Sequence, residues 1–384
     1  LIIAIFAQTF QACIEAGIPN MMKRYKFSRQ INKDFSTELR KRVNAYFKDN
    51  EIERSGNLKM KLKTLSALFL YFGPFAAILL AGFESAAIVW VLWIVMGVGK
   101  AFMGTSVMHD ALHGSMSGKK PVNRLFGFTS VALGADAKMW KIQHNVLHHT
   151  YTNVEEADED IEVKYLLRFS PNQPRYWYHR YQHFYAIFFY SISTIFWATA
   201  KDFLKLEKYR KKGFVNSKKE YAGRLAKIIF GKLLYFSVFL VLPILVLPFP
   251  AWLTFLMFMT MHVVAGVALS ITFQLAHVVP TSEFVKAEGI EIKENWSVHQ
   301  LLTTCNFAPK SHIVGWFTGG LNFQIEHHLF PNICHIHYPN ISKIVQETAA
   351  EYNIPYHMEK TVFSAVRNHF RLLRDLGKRE SVMA

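Results

Sequence analysis

Three short stretches place histidines at intervals suited to holding metal. His109 and His113 form an HxxxH, His144, His148 and His149 an HxxxHH, and Gln324, His327 and His328 a QxxHH. His277 closes a long apolar run in FQLAHVV. On a helix, residues i and i+4 share a face with about 6 Å between their Cβ atoms, so His109/His113 and His144/His148 can each clasp an ion. Adjacent residues diverge by about 100°. The doublets His148-His149 and His327-His328 therefore serve two neighbouring ions better than one. Eight histidines, with Gln324 as a weaker ninth donor, leave about four or five ligands per ion and positions open for small molecules. Neutral imidazole suits zinc, copper, iron and nickel, but structural zinc sites are closed and commonly include cysteine. Open, nitrogen-rich coordination points to redox iron handling dioxygen.

Acids stand beside each stretch: Asp110 inside the first, Glu326 inside the third, and Asp158 and Asp160 in the run EEADEDIE behind the second. A ligand histidine usually gives its other N–H to a carboxylate or carbonyl, which fixes its tautomer. These four are candidates for that part, although a charge run is more often a solvated face. His335, His337 and Trp316 lie near the third stretch and are candidates for positioning substrate. The three cysteines, Cys13, Cys305 and Cys334, form no CxxC pair. Neither a disulfide framework nor a zinc ribbon is supported, and a reducing compartment is expected.

The elements that must carry these residues are apolar. Leu65–Phe83, Leu233–Phe249 and Ala251–Ala276 contain no charge, and Ser85–Met108 contains only Lys100. Runs near 20 residues match a hydrocarbon core of about 30 Å. The net charge of +16 is concentrated in 22–63 and 201–227, beside the apolar runs, where it favours a membrane surface over nucleic acid. The tight connections at Glu84 and Pro248-Phe249-Pro250 hold no Lys or Arg, so the basic segments are expected in the cytoplasm. With Phe184–Ala200 lying at the interface, four crossings put every histidine stretch on the cytoplasmic face. The fold expected is an all-α integral membrane protein with four transmembrane helices, interfacial helices and a cytoplasmic histidine-rich cap. Residues 1–21 read as an extra N-terminal segment, 22–64 as a basic cytoplasmic region, 65–345 as the membrane domain and 346–384 as a cytoplasmic C-terminal region.

The HxxxH, HxxxHH and QxxHH series around apolar hairpins resembles the membrane fatty-acid desaturases. That resemblance implies two irons, dioxygen as co-substrate and removal of two hydrogens from an unactivated acyl chain, carried on CoA or a phospholipid. It implies His109, His113, His144, His148, His149, His277, His327 and His328 as ligands. Gln324, where many relatives have histidine, resembles the front-end group, which desaturates between an existing double bond and the carboxyl end. Many of that group carry a haem domain marked HPGG, a motif absent from this sequence. A separate ferredoxin or cytochrome is then the expected electron donor, and a bacterial inner membrane the expected setting.

The same stretches also suit a lipid hydroxylase, which differs in product, and less well a membrane zinc hydrolase, which differs in metal. A metal transporter needs polar ligands near the bilayer midplane, and the three uncharged runs contain neither Asp nor Glu. His179 and His183 repeat the HxxxH spacing among aromatics, where interfacial packing explains them better. His262 lies in mid-span and suits either a hydrogen-bonded histidine within the bundle or the far end of an acyl tunnel.

Overall fold

The computed structural model describes residues 25–378 apart from 164, 287 and 288, so the N-terminal segment 1–21 lies outside the described residues. After a helix over Lys33–Asp49 (α1), two apolar hairpins dominate. The first joins α2 (Leu58–Leu80) to α3 (Ala86–His113), and the second joins α8 (Lys218–Val246) to α9 (Ala251–His277). All four are long and apolar enough to cross a membrane. Asn57 caps α2 by accepting from the Lys59 N–H, Ser217 caps α8 by accepting from Glu220, and Pro248 and Pro250 turn the chain between α8 and α9. Their outward faces remain apolar, with Leu65, Phe69, Phe230, Leu233 and Trp252 among the exposed side chains. In water such faces would be a liability; in lipid they are the expected surface.

Between the hairpins lie α4 (Lys120–Gly127), α5 (Ala137–Lys141, continuing as a π-helix over Ile142–His148), α6 (Gln182–Phe196) and α7 (Asp202–Lys211). Leu125 and Phe128 at the end of α4, and Phe184 on α6, are exposed. Neither helix is among those long and apolar enough to span. The remaining helices are α10 (Trp296–Leu302), α11 (His312–Phe317), α12 (Gln324–Leu329), α13 (Tyr338–Glu351) and α14 (Val362–Lys378). With α1, the helices α10, α12 and α13 build a second apolar core, in which Phe35, Leu39 and Val43 meet Val298, Leu301, Ile325, Ile341 and Val345. Two short parallel pairings, Lys26–Phe27 with Glu291–Ile292 and Asn306–Phe307 with Met358–Glu359, tie distant segments together.

Helices in a bilayer gain little from apolar burial against one another, so close backbone approach does more of the holding. Small residues mark the crossings. A Cβ at Gly99 of α3 would sit 2.4 Å from the Leu70 carbonyl of α2, and one at Gly266 of α9 would sit 2.6 Å from the Ser191 carbonyl of α6. Polar side chains inside the bundle are paired. Lys100 Nζ donates to Leu133 O at 2.9 Å and to the Tyr235 hydroxyl at 2.8 Å. His262 uses both nitrogens, on Tyr235 at 2.9 Å and Thr194 at 3.0 Å. It is therefore a hydrogen-bonded histidine of the bundle, and its nitrogens are not presented to a tunnel. Gly99→Ala is expected to lower the melting temperature in detergent, through an overpacking cost of about 1–3 kcal/mol. Gly223→Ala, where nothing lies within 4 Å of the added Cβ, is the control and should leave it unchanged or raise it.

Candidate metal centre

The C-terminal ends of α3 and α9 meet, and the histidine stretches converge there. Histidines 109, 113, 144 and 327 form one cluster, with one ring nitrogen from each lying within 4.8 Å of the others. Histidines 148, 277 and 328 form a second on the same criterion. His149 joins the first through its Nε2, 3.2 Å from that of His144, and stacks on His328 of the second with ring centroids 4.4 Å apart. The doublet His327-His328 divides between the two clusters, as its adjacent spacing requires.

In the second stretch His144 and His148 come together beside Asp160, as their spacing suggests, but the winding is not that of an α-helix. Ile142–His148 is π-helical, and the His149 N–H bonds the His144 carbonyl, five residues back, at 3.0 Å. The wider turn brings His144 and His149 together and sends His148 toward His277, with ring centroids 4.7 Å apart. Another π-helical segment, Met103–Met108, immediately precedes His109. Such bulges re-aim side chains within a helix and recur at functional sites.

In several of these rings one nitrogen is held and the other is left bare. His148 Nδ1 donates to Asp158 at 3.0 Å, His328 Nδ1 to the Gln300 carbonyl oxygen at 3.0 Å and His327 Nδ1 to the Tyr338 hydroxyl at 3.2 Å. The Nε2 atoms of His113, His148, His327 and His328, and both nitrogens of His277, are buried without a hydrogen-bond partner. Each such orphan costs about 1–3 kcal/mol, and so many facing one another is the arrangement left when metal is taken from imidazole ligands. Burial holds His149, His327 and His328 well below the ordinary imidazole pKa and pushes His144 down to about 3. Those rings are neutral, the form that ligates. Burial alone would lower His148 too, but Asp158 and Asp160 outweigh it and its pKa rises. The donor set fits metal ions, and it fits two.

The remaining candidates separate by contact. Asp160 lies 3.9 Å from His144 Nδ1 and 3.8 Å from His148 Nδ1, and the Gln143 amide donates to it. Asp110 lies 3.5 Å from His109 Nδ1 and accepts from His335 Nδ1 at 2.8 Å. Glu326 turns away from the histidines, toward the Asn306 amide at 2.8 Å and the Tyr356 hydroxyl at 2.9 Å, and burial pushes its carboxyl up to about 7. Gln324 is buried, with Oε1 unpartnered. His337 bonds the Ser55 carbonyl at 3.2 Å. Trp316 packs on Phe102, with centroids 6.3 Å apart. His179 accepts from the Tyr176 N–H at 3.2 Å and belongs to neither cluster. Gln300, Thr152 and Tyr338 support ligand rings but give no sequence signal, because nothing in their spacing separates them from ordinary core polar residues. Asn153 is also missed. In the left-handed region (φ 55), it donates through its side chain to the carbonyls of His277, Glu283 and Thr303 at 2.9, 3.0 and 3.3 Å. It thereby fixes the second stretch to the end of α9.

Much of the acid run behind the second stretch is structural. Glu159 is buried against Lys205, Lys208 and Lys212 of α7 and the segment after it, at 2.5, 3.0 and 2.8 Å, and accepts from Tyr209 at 3.0 Å. Burial alone would raise its pKa, but the three ammonium groups outweigh it and hold the carboxyl well below the usual range. A carboxyl lowered on folding adds stability above its unfolded pKa, about 4.3, and that stability is lost as pH falls. Glu159→Gln should therefore cost about 3 kcal/mol near pH 7 by stranding the lysines. It should also flatten the fall in melting temperature that the parent protein shows below about pH 5, as thermal scans across pH would measure.

The family model for fatty acid desaturase matches residues 84–360. The chain is 35% identical over 360 residues to the sn-1 linoleoyl-lipid 6-desaturase of Arthrospira platensis, covering 89% of this chain and 92% of that protein. It is 37% identical to the acyl-lipid (8-3)-desaturase of Physcomitrium patens, covering 91% of this chain and 73% of that protein. A Synechocystis sn-1 linoleoyl-lipid 6-desaturase is 32% identical over 93% of this chain and 98% of its own length.

Proposed function

The chain belongs to the fatty acid desaturase family of O2-dependent oxidoreductases, and from that premise we propose that it is a front-end desaturase of lipid-bound acyl chains using two irons. The observation that carries the metal assignment is the double cluster of buried imidazoles whose bare nitrogens face one another. His109, His113, His144, His149 and His327 would hold one iron and His148, His277 and His328 the other. The irons supply dioxygen activation and removal of two hydrogens from adjacent carbons.

The protein's own contribution is positional. Asp158 and Gln300 keep the proton of His148 and His328 on Nδ1, and Tyr338 bonds Nδ1 of His327, so each Nε2 is left bare for metal. Trp140 lies against the His144 ring at 4.4 Å between centroids and, with the buried ends of α3 and α9, keeps water from the clusters. Acyl-lipid substrates are named for the relatives in Arthrospira and Physcomitrium, which supports a lipid-bound chain over a free acid. Basic segments flanking the spans support a site on the cytoplasmic face. A bacterial inner membrane is the setting in this proposal. The reductant in this proposal is a separate ferredoxin or cytochrome.

Protein purified in detergent should hold about two irons per chain, and His148→Gln should hold clearly fewer. Expressed with a ferredoxin or cytochrome partner in a host whose lipids carry unsaturated chains, the parent protein should add a double bond on the carboxyl side of the existing one. His148→Gln should add none. Zinc in place of iron, or a hydroxylated product, would contradict the proposal.

A further inference from the structure

Beside the first histidine cluster lies a third group with metal-binding composition: Asp110, Cys334 and His335, all buried, with ligand atoms within 4.8 Å of one another. A cation is already there. Lys63 of α2 is 2% exposed, and its Nζ sits 2.9 Å from His335 Nε2. The ammonium also donates to the Gly315 carbonyl at 3.0 Å and lies 5.2 Å from the Trp316 ring centroid. An ammonium has only donors, so His335 Nε2 must accept, and the ring's one proton is placed on Nδ1. That proton points at Asp110 Oδ2, 2.8 Å away, and the His335 backbone N–H reaches the same oxygen at 3.3 Å. The other oxygen of Asp110 faces His109 Nδ1 at 3.5 Å. Lys63 donates to His335 and His335 to Asp110, which the Nδ1 of His109 faces from its other oxygen, so the contacts converge on Asp110 and link a lysine of the first span to a ring of the first cluster.

We propose that Lys63 is a positioning residue for the metal centre, acting through His335 and Asp110 to orient His109. This rests on the two-iron reading above. It gives His335 a part in placing a ligand instead of the contact with substrate expected from sequence, and it gives Trp316 a place beside the ammonium. Lys63 reaches the cluster containing His109; in the other, Asp158 and Gln300 bond the rings of His148 and His328, and Asn153 bonds the backbone carbonyl of His277.

The test is iron retention under a chelator in purified full-length protein, following the amount and rate of release. Lys63→Met, which keeps the chain length but loses the charge, should weaken one of the two sites by about 10–100-fold, the usual effect of removing a partner behind a ligand. Iron should then fall from about two per chain to about one, while Lys63→Arg retains both. Release of both irons together or of neither would overturn the proposal, as would failure of Lys63→Arg to rescue. If Lys63→Met does not fold, His335→Gln and His335→Leu decide. The glutamine can accept from Lys63 and donate to Asp110, so it should retain iron that the leucine loses; equal retention in the two overturns the proposal. Parent protein without iron would overturn the two-iron reading and this proposal with it. Parent protein with two irons that Lys63→Met keeps equally well overturns this proposal alone.

Discussion

A cluster of neutral imidazoles with bare nitrogens, buried away from water, is an unstable object by itself. Each ring loses its hydration, and the rings cannot satisfy one another because several present the same kind of atom. Metal resolves that conflict, but only if the ligands are held in place before it arrives. The rest of the molecule can be understood as the means of holding them. Two hairpins of antiparallel spans bring the ends of α3 and α9 together, and the cap formed by α10, α12 and α13 delivers the third stretch to the same place. The partners behind the rings set which nitrogen stays bare.

Charge is distributed to serve the same end. The carboxylates nearest the rings, Asp110, Asp158 and Asp160, face histidines. Glu159, one residue from two of them, faces lysines instead. A single acidic run therefore works in two directions, inward on ligand rings and outward on a basic helix. The density of acid behind the second stretch has its explanation in that division. Alternate residues point to opposite sides of an irregular segment that lies between the site and α7.

Much of this was legible in the sequence. Uncharged runs of near 20 residues identified the spans, since few other environments tolerate them, and histidine spacing identified the stretches that converge. What stayed hidden depended on geometry that spacing does not encode. The HxxxHH pattern suggests the pairing of His144 with His148, which do meet beside Asp160, but not the π-turn that also joins His144 to His149. Gln300, Tyr338 and Asn153 are common residue types with distant partners, so their contacts appear only once the chain is folded. Glu326 shows the converse case. Its place inside the third stretch suggested a partner among the histidines, but the turn of α12 points it toward Asn306 and Tyr356.

The π-helical segment over Ile142–His148 also limits how this region can change over evolutionary time. A π-turn accommodates one residue more than the α-turn it replaces, so the stretch is defined by its count of residues as much as by their identity. Losing that extra residue would restore ordinary helical winding while the side chains that follow keep their direction, whereas keeping it and rewinding the turn would rotate each of them by about 100°. His148 would then point where His149 now does, and both clusters would lose a member through a change that removes no histidine. Related chains are therefore expected to hold these histidines and either to keep the residue count across 142–149 or to shorten it by the one residue that the wider turn takes up, with larger insertions and deletions confined to the connections outside.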